Sequence, residues 1–297
     1  MLSIDPCNLC PRLCGVDRNK DMGFCQSGPR VKVARAALHF WEEPCISGSQ
    51  GSGTVFFSGC TLRCCYCQNA GISIEGFGKE VSEERLAEMF LELQAQGAHN
   101  INLVTATHFL PGVLHALDLA KPLLHIPVVY NCGGYERVET IQALKDHVDI
   151  YLPDLKYFSQ ALSWKYSQAK DYFEKAAAAI QEMVCQTGGL VFDDDGIMQK
   201  GVMIRHLVLP GGRKDSLEIL NWIHENLPPD QFLLSLMSQY TPCYKSCEHP
   251  EINRRLTTME YQSVVREALR LGLGKGYMQE RTSAKEEYTP PFDLEGI

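Results

Sequence analysis

The sequence predicts an α/β protein with a parallel β-sheet, preceded by a cysteine-rich segment. Short runs of β-branched and aromatic residues alternate with amphipathic stretches of helical spacing, a pattern typical of βαβ units. Residues 1–53 differ, because they contain close cysteines, glycines and prolines around one short apolar patch, Val31–Phe40. We therefore predict a cysteine-rich, metal-binding extension at 1–53, a sheet domain at 54–278 and a polar tail at 279–297.

Six runs are predicted to be strands of the sheet. Each run is short and continuously apolar, as expected for strands that are covered on both faces. Six βα units are fewer than a complete (β/α) barrel needs, so an incomplete barrel and a doubly wound sheet are the alternatives. The predicted strands are Thr54–Ser58, Ile101–Thr107, Pro127–Cys132, Asp149–Lys156, Val202–Leu209 and Phe232–Tyr240.

Helical stretches lie between and after these strands. The first begins at Ser82, a favourable N-cap, continues with apolar residues three and four apart, and stops at Gly97. The alternation of strands and helices favours parallel pairing, because each helix can serve as a crossover connection. The other predicted helices are Val113–Lys121, Val138–His147, Ala169–Gln186, Ser216–Asn226 and Thr257–Leu271.

The composition excludes several classes of protein. The chain has 297 residues, 45% apolar and 22% charged, which is ordinary for a globular protein. The formal charge, 28 − 36 = −8, gives no basic footprint for nucleic acid. The first residues lack the charged and apolar regions of a secretory signal, and no apolar run is long enough to cross a membrane. We therefore predict a cytoplasmic protein without a membrane or nucleic-acid partner.

The 13 cysteines are clustered, and clustered thiols in a cytoplasmic chain are more often metal ligands than disulfides. The most informative cluster, Cys60-Thr-Leu-Arg-Cys64-Cys65-Tyr66-Cys67, follows the first predicted strand. Three thiolates, from Cys60, Cys64 and Cys67, can hold three corners of an iron–sulfur cubane and leave its fourth iron open. A structural zinc loop is the alternative. Zinc needs a fourth ligand, however, and Cys65 cannot easily direct its sulfur inward beside Cys64.

This loop, with the aromatic Tyr66 before its last cysteine, resembles the signature of the radical S-adenosylmethionine (SAM) superfamily. The resemblance implies a [4Fe–4S] cluster with one open iron, bound by Cys60, Cys64 and Cys67. It implies that SAM binds this iron through its amino and carboxylate groups, with Tyr66 and Asn69 among the cofactor-binding residues. It also implies a partial (β/α)6 barrel, which matches the six predicted strands and gathers the site at their carboxyl ends.

The same resemblance implies a radical mechanism. An electron from a reductant such as flavodoxin or ferredoxin cleaves SAM to methionine and a 5′-deoxyadenosyl radical, which abstracts hydrogen from a substrate. A barrel cavity suits such chemistry, because it can shield a radical from solvent.

Residues at later strand ends resemble the glycyl-radical-enzyme activases. Asp154 and Lys156 match a pair that in this family contacts the ribose and the carboxylate of SAM. Arg205 lies in a similar activase-like strand and is expected to contact the cofactor or to order a carboxylate. A strand-end ion pair is the structural alternative for these residues. Gln239 and Tyr240, at the end of the last predicted strand, are looser candidates for the same pocket.

The end of the second predicted strand departs from the family. A Gly-Gly-Glu-like element usually binds the amino group of SAM there, but this chain has Thr105-Ala-Thr107-His108, without an acidic residue. Thr105, Thr107 or backbone carbonyls are expected to accept hydrogen bonds from the amine instead. His108 is either a substrate-pocket residue or a packing histidine.

Four cysteines in the extension, Cys7, Cys10, Cys14 and Cys25, form a second cluster. Four close thiols complete either a zinc site or a second iron–sulfur cluster, and their spacing does not choose between the two metals. Reduced or redox-sensing thiols are the alternative. The segment resembles the leader of the pyruvate formate-lyase-activating-enzyme-like branch of the superfamily, which carries extra cysteines before the barrel.

The remaining cysteines predict no site. Cys243 and Cys247 cannot enclose a metal by themselves, and an ordinary pair of loop thiols is the simpler interpretation. Cys45, Cys132 and Cys185 are interpreted as buried small apolar residues.

The function predicted from the resemblance is that of a radical SAM oxidoreductase of the activating-enzyme type. Its substrate is either a glycyl radical enzyme, or another polypeptide, or a small molecule or peptide that is modified directly. A different class is also open, a non-catalytic iron–sulfur electron carrier or a metal-binding interaction module. Such a protein would need neither an open iron nor the pair Asp154 and Lys156.

Overall fold

The computed structural model describes residues 2–279 and 289–297, and its centre is one mixed β-sheet. The strands in the described chain are β1 (Lys32–His39), β2 (Ser52–Phe57), β3 (Lys79–Glu80), β4 (Ile101–Val104), β5 (Val128–Cys132), β6 (Ile150–Pro153), β7 (Val191–Phe192), β8 (Met198–Leu207), β9 (Phe232–Met237) and β10 (Gly276–Met278).

The sheet is open, and its strands follow the order β10-β9-β8-β6-β5-β4-β2-β1-β3, with β7 paired to β8 outside this path. The six predicted strands are β2, β4, β5, β6, β8 and β9, and all of them are present. They are parallel neighbours in chain order, because each crossover adds the next strand to the same edge. This confirms the predicted partial barrel.

Four strands outside the six predicted ones also join the sheet, namely β1, β10 and the two-residue strands β3 and β7. β1 belongs to the predicted extension, yet it pairs antiparallel with β2, with Ala37 opposite Thr54. β10 adds a further parallel strand beside β9. The proposed division of the chain at residue 53 stays a prediction, but the extension contributes a strand and apolar residues to the common core.

The helices of the described chain lie between and after the strands of the sheet. They are α1 (Pro44–Ser47), α2 (Ala70–Ser73), α3 (Glu83–Ala95), α4 (Leu110–Ala120), α5 (Val138–Ala143), α6 (Gln160–Ser167), α7 (Tyr172–Thr187), α8 (Arg213–Asn226) and α9 (Thr258–Arg270). None of them is both long and apolar enough to span a bilayer.

Local capping explains where several helices begin. Ser82 is the N-cap of α3, as predicted, and its Oγ accepts a hydrogen bond from Arg85 N at 3.2 Å. Thr257 and Glu260 form a reciprocal capping box at the start of α9. Helices α1, α2 and α6 were not predicted. They have four, four and eight residues, which is too short for a clear helical period.

The segment that follows β1 enters the concave side of the sheet. Cys45 and Ile46 of α1 are buried in an apolar cluster with Val129 of β5 and Ile150 and Leu152 of β6. Helix α1 therefore fills the base of the partial barrel. This packing forms an apolar layer below the carboxyl ends of the strands.

A glycine after β5 allows two strand ends to approach each other. Gly134 has φ +79°, and a Cβ built there would collide with the backbone carbonyl oxygen of Asp154. Gly188, at the end of α7, has a similar φ of +72° but no atom within 4 Å of such a Cβ. A comparison of alanine substitutions at Gly134 and Gly188 therefore distinguishes the cost of a positive φ from the cost of a steric collision.

We predict that Gly134→Ala destabilises the protein more than Gly188→Ala. The second change adds only the strain of a positive φ, about 1 kcal/mol. The first adds a collision with backbone that cannot move away, for a further loss of about 1–3 kcal/mol. Urea unfolding of both variants measures the difference, and equal destabilisation would show that residues 134 and 154 do not pack closely.

Candidate active site

Alternate residues of the parallel strands face the concave side of the sheet. Near the base, Val129, Leu152 and Met203 are buried in the apolar cluster that contains α1. Two residues further along the same strands, the side chains are Asn131, Asp154 and Arg205. All three line a cavity. The interior thus changes from apolar to polar and charged as the strands approach their carboxyl ends.

The cavity has a volume of about 250 Å³. Of the predicted site residues, seven cofactor candidates and two cysteines contribute to its wall, although they come from distant parts of the sequence. These residues are Cys64, Tyr66, Cys67, Asn69, Asp154, Lys156, Arg205, Gln239 and Tyr240.

Arg205 is the centre of a buried hydrogen-bond network in this cavity. Its Nε donates to Asp154 Oδ1 at 2.9 Å, and its Nη2 donates to Asn131 Oδ1 at 2.6 Å. Its Nη1 donates to Glu42 Oε2 at 3.1 Å. Lys156 Nζ forms an ion pair with the other oxygen of Asp154. Arg205 therefore orders a carboxylate, which is one of the two predicted roles.

Glu42 is a member of this site that sequence reasoning missed. It precedes α1, and its Oε1 accepts hydrogen bonds from Asn102 Nδ2 at 3.3 Å and Asn131 Nδ2 at 3.1 Å. Its side chain is 11% exposed and lines the cavity. Glu42 lies in the extension, far from the strand ends in sequence. The signal that could have revealed it is the pair Glu42-Glu43 beside a short apolar strand.

The charges of the network stabilise one another. Burial disfavours ionisation, but Arg205 and Lys156 hold the pKa of Asp154 below its usual range. Burial also opposes the charge of Lys156, yet Asp154 raises the pKa of this ammonium group. Burial raises the pKa of the Glu42 carboxyl, and Arg205 opposes that rise. Asp154, Lys156 and Arg205 are therefore a charged triad at neutral pH.

The predicted signature loop lies at the carboxyl end of β2. Cys60, Cys64 and Cys67 are half-buried, and the last two line the cavity. Ser167 Oγ donates to Cys64 Sγ at 3.0 Å, and Cys67 Sγ lies 3.2 Å from Ser73 Oγ. Burial and the neighbouring Cys64 thiol raise the pKa of Cys67 to about 11. The same two causes, together with Cys67, raise the pKa of Cys60.

The residues of this loop fit an iron–sulfur cluster by their chemistry. Soft thiolates are the ligands of such clusters, and hydrogen-bond donors to sulfur tune them. The three thiols lie on one eight-residue loop, and Cys64 and Cys67 line the same cavity. Within residues 2–279 and 289–297, no three His, Cys, Asp or Glu side chains converge at coordination distances. The fit thus rests on donor type and proximity.

The predicted amine contacts at the end of β4 do not reach the cavity wall. β4 ends at Val104, earlier than predicted, because Thr105 has φ +62° and the chain turns into a short 3-10 helix. Thr107 is buried, donates to Glu136 Oε1 at 2.6 Å and accepts from Tyr130 OH at 3.0 Å. Neither threonine is part of the wall, so their role in cofactor binding stays a prediction.

His108 is held by packing rather than placed in the pocket. Its ring is buried, and its Nε2 lies 2.7 Å from Ser58 O. Burial lowers the pKa of His108 to about 4, so the ring is neutral at physiological pH. This favours the second of the two predicted interpretations of His108.

The four leader cysteines lie near one another. Cys7, Cys10 and Cys25 are buried, and Cys14 is exposed. A Cβ built at Gly23 would lie 3.4 Å from Cys14 Sγ and 3.5 Å from Cys25 Sγ, which places both sulfurs next to the same backbone position. Burial raises the pKa of Cys10 to about 12, with contributions from Cys25 and Cys7. The donor set therefore suits a metal.

The leader packs directly on the signature loop. Arg12 Nε donates to Thr61 O at 2.9 Å, and Arg63 Nη2 donates to Phe24 O at 3.1 Å. Both guanidinium groups lie over the ring of Phe24, Arg12 at 3.8 Å and Arg63 at 4.8 Å. The leader segment is thus in direct contact with the loop that carries the other cysteine cluster.

The other cysteines form no metal site among the described residues. Cys243 Sγ donates to Tyr66 O at 3.2 Å, and Cys247 is exposed. Cys45 and Cys132 are buried, as predicted. The prediction for Cys185 was wrong, because this residue lies on the exposed side of the amphipathic helix α7.

Comparison with known proteins agrees with this geometry. The radical SAM superfamily matches residues 54–185, which extend from β2 to α7 and include the signature loop. An uncharacterized protein of Methanocaldococcus jannaschii is 32% identical over 269 residues, 87% of this chain and 73% of that protein. The chain belongs to the radical SAM superfamily. Membership implies an enzyme that uses an iron–sulfur cluster and SAM.

Solved structures show the same fold at low identity. SuiB of Streptococcus suis, in a structure with SAM bound, is 14% identical over 74% of this chain, with a TM-score of 0.51. HydG, a maturase of the [FeFe]-hydrogenase, is 13% identical over 73% of this chain, with a TM-score of 0.50. The chain spans about half the length of these two proteins, 48% in each case.

A buried carboxyl near the site generates a pH prediction. Burial raises the pKa of Glu136 to about 8. The folded protein therefore keeps this proton at pH values where the unfolded chain has lost it. The free energy of unfolding should fall as the pH rises from about 5 to about 8, by up to about 1.4 kcal/mol per pH unit from this residue.

We predict that Glu136→Gln removes this dependence and retains the hydrogen bond from Thr107. The variant should gain stability over the original protein as the pH rises, which urea unfolding at about pH 5 and about pH 8 measures. Glu225→Gln, on the exposed face of α8, is the matched control. A constant difference between E136Q and the original protein would show that Glu136 titrates normally.

Proposed function

We propose that this protein cleaves SAM reductively and uses the resulting radical to abstract hydrogen from a substrate. One observation carries the proposal. Cys64 and Cys67 of the signature loop share a single cavity with Asp154, Lys156 and Arg205, at the carboxyl ends of the parallel strands. A non-catalytic iron–sulfur carrier would have no use for this charged pocket beside its cysteines.

Cys60, Cys64 and Cys67 would hold the cluster, which when bound supplies one electron to SAM and so generates the 5′-deoxyadenosyl radical. The protein binds and orients the cofactor. Lys156 complements its carboxylate, and Asp154 accepts hydrogen bonds from ribose hydroxyls. Arg205 keeps Asp154 ionised and fixed in position. Tyr66 and Asn69 complete the wall next to the loop.

We propose that Glu42 supplies the acidic group that the end of β4 lacks. Its carboxylate lines the cavity above β4 and β5, where Asn102 and Asn131 hold it. A carboxylate has about four lone-pair sites, so Glu42 can still accept hydrogen bonds from the ammonium group of SAM. This residue thus takes the role for which Thr105 and Thr107 were the sequence-based candidates.

We propose further that Cys7, Cys10, Cys14 and Cys25 bind a second metal centre. An iron–sulfur cluster is the first candidate, and zinc is the second. The support is the contact of the leader with the signature loop through Arg12 and Phe24, which suits electron transfer between two clusters. Iron and zinc counts on a protein with the four cysteines replaced by serine test the identity of the metal.

The proposed substrate is a polypeptide, with a glycyl radical enzyme as the first candidate and flavodoxin or ferredoxin as the reductant. The support is the match of Asp154 and Lys156 to the activases, and the solved SuiB and HydG structures add only the fold. Incubation with candidate partners and electron paramagnetic resonance tests this step. A glycyl radical signal in the partner is expected, and a modified small molecule without that signal would favour the alternative.

We predict that Cys64→Ser abolishes reductive SAM cleavage, because a cluster needs all three thiolates of the loop. The assay measures 5′-deoxyadenosine after anaerobic reconstitution and reduction with dithionite. Cys185→Ser, an equally conservative change at an exposed thiol, should retain full activity. If the original protein holds a reducible cluster and still forms no 5′-deoxyadenosine, the protein is an electron carrier and the proposed function is wrong.

We predict that Glu42→Gln weakens SAM binding about tenfold or more, because one charge-assisted hydrogen bond to the ammonium group is lost. Equilibrium binding of SAM to the reconstituted variant measures this. Glu225→Gln should bind SAM normally. Unchanged affinity of the folded E42Q variant would show that Glu42 only positions Arg205.

A further inference from the structure

A second cavity, of about 480 Å³, lies beside the candidate active site. We refer to it as the side cavity. The segment from Phe40 to Gly48 forms one wall, and the ends of β9 and β10 form the other. Glu42, Arg205 and Gln239 line both cavities. A molecule in the side cavity would therefore lie next to the proposed cofactor pocket.

Glu43 is a buried carboxylate in this side cavity. The residue is 8% exposed, and its Oε2 has no hydrogen-bond partner. Glu43 occupies the N-cap position of α1, but its side chain does not cap that helix. No ion pair of the described chain includes it. A buried carboxylate oxygen without a hydrogen-bond partner is costly, so the retention of Glu43 at a cavity wall points to a ligand.

The nearby cations are committed to other groups. Arg205 donates to Glu42, Asp154 and Asn131, and Lys156 pairs with Asp154. In the part of the chain that the structure describes, the walls of these two cavities contain three acidic side chains and two basic ones. The acidic residues are Glu42, Glu43 and Asp154, and the basic residues are Lys156 and Arg205. Burial raises the pKa of Glu43, and Arg205, which already serves three other acceptors, opposes this rise only in part.

The mouth of the side cavity is aromatic. Phe40 and Trp41 line it and are 49% and 50% exposed. Aromatic faces attract cations, more strongly for tryptophan than for phenylalanine. Apolar rings at the entrance and an unpaired carboxylate at the wall suit a flexible apolar chain that ends in a positive charge.

We propose that the side cavity binds a cationic group of the substrate, an ammonium or a guanidinium, with Glu43 as its ion-pair partner. For a polypeptide substrate this group is a lysine or arginine side chain close to the residue that loses hydrogen. The assignment of the bound cation to a substrate rests on the proposed radical function. The binding of a cation at Glu43 does not depend on that function.

The test compares two probes of nearly the same shape on the reconstituted protein. N-acetylarginine amide carries one positive charge, and N-acetylcitrulline amide carries none. Isothermal titration calorimetry should show that the arginine probe binds about tenfold or more tightly. Glu43→Gln should remove this preference, and Glu225→Gln, a surface position of α8, should retain it. Circular dichroism verifies that each variant is folded.

Either of two results would overturn the proposal. The first is equal affinity of the original protein for the two probes, and the second is a preference for the arginine probe that persists in the folded E43Q variant. The first comparison needs no variant and holds even if E43Q does not fold. Saturating SAM should leave the preference intact, and its loss would assign Glu43 to the cofactor and refute a substrate site. Formation of 5′-deoxyadenosine by the original protein tests the radical function separately.

Discussion

The guanidinium group of Arg205 connects the parts of the molecule that make a site. It binds Asp154 at the end of β6, Asn131 at the end of β5 and Glu42 from the segment that precedes α1. Planar, permanently charged guanidinium suits this position, because it can serve several acceptors at once in a buried setting. Without it, two carboxylates would lie together in the interior of the barrel without a common counter-charge.

The position of this network follows from the packing below it. Helix α1 places Cys45 and Ile46 against the apolar bases of β5 and β6. Two residues beyond these bases, the chain carries the polar side chains of Asn131 and Asp154. The same short segment therefore packs against the base and, through Glu42 and Glu43, adds acidic groups to the two cavities.

The leader packs closely against the barrel. β1 extends the sheet next to β2, and the buried Arg18 donates to Ser27 O at 3.1 Å and also to His108 O. Arg12 and Arg63 add hydrogen bonds between the leader and the signature loop. These contacts connect the segment that carries the leader cysteines to the loop that carries Cys60, Cys64 and Cys67.

By itself, the sequence determined the kind of fold and the signature loop of the family. Six apolar runs and the spacing of Cys60, Cys64 and Cys67 are local patterns, because strand period and ligand spacing involve residues that are close in the chain. The positions of Asp154, Lys156 and Arg205 were also predictable, since the ends of parallel strands meet at one edge.

Only the tertiary structure decided what completes the site. Glu42 and Glu43 reach the interior because the chain leaves β1, turns into the barrel and forms a four-residue helix. A segment this short has no hydrophobic period from which its path could be predicted. Thr107 moved away from the pocket because Thr105 takes a positive φ and directs the next residues towards Glu136. Contacts between residues far apart in sequence depend on the packing of the whole barrel, which local patterns do not encode.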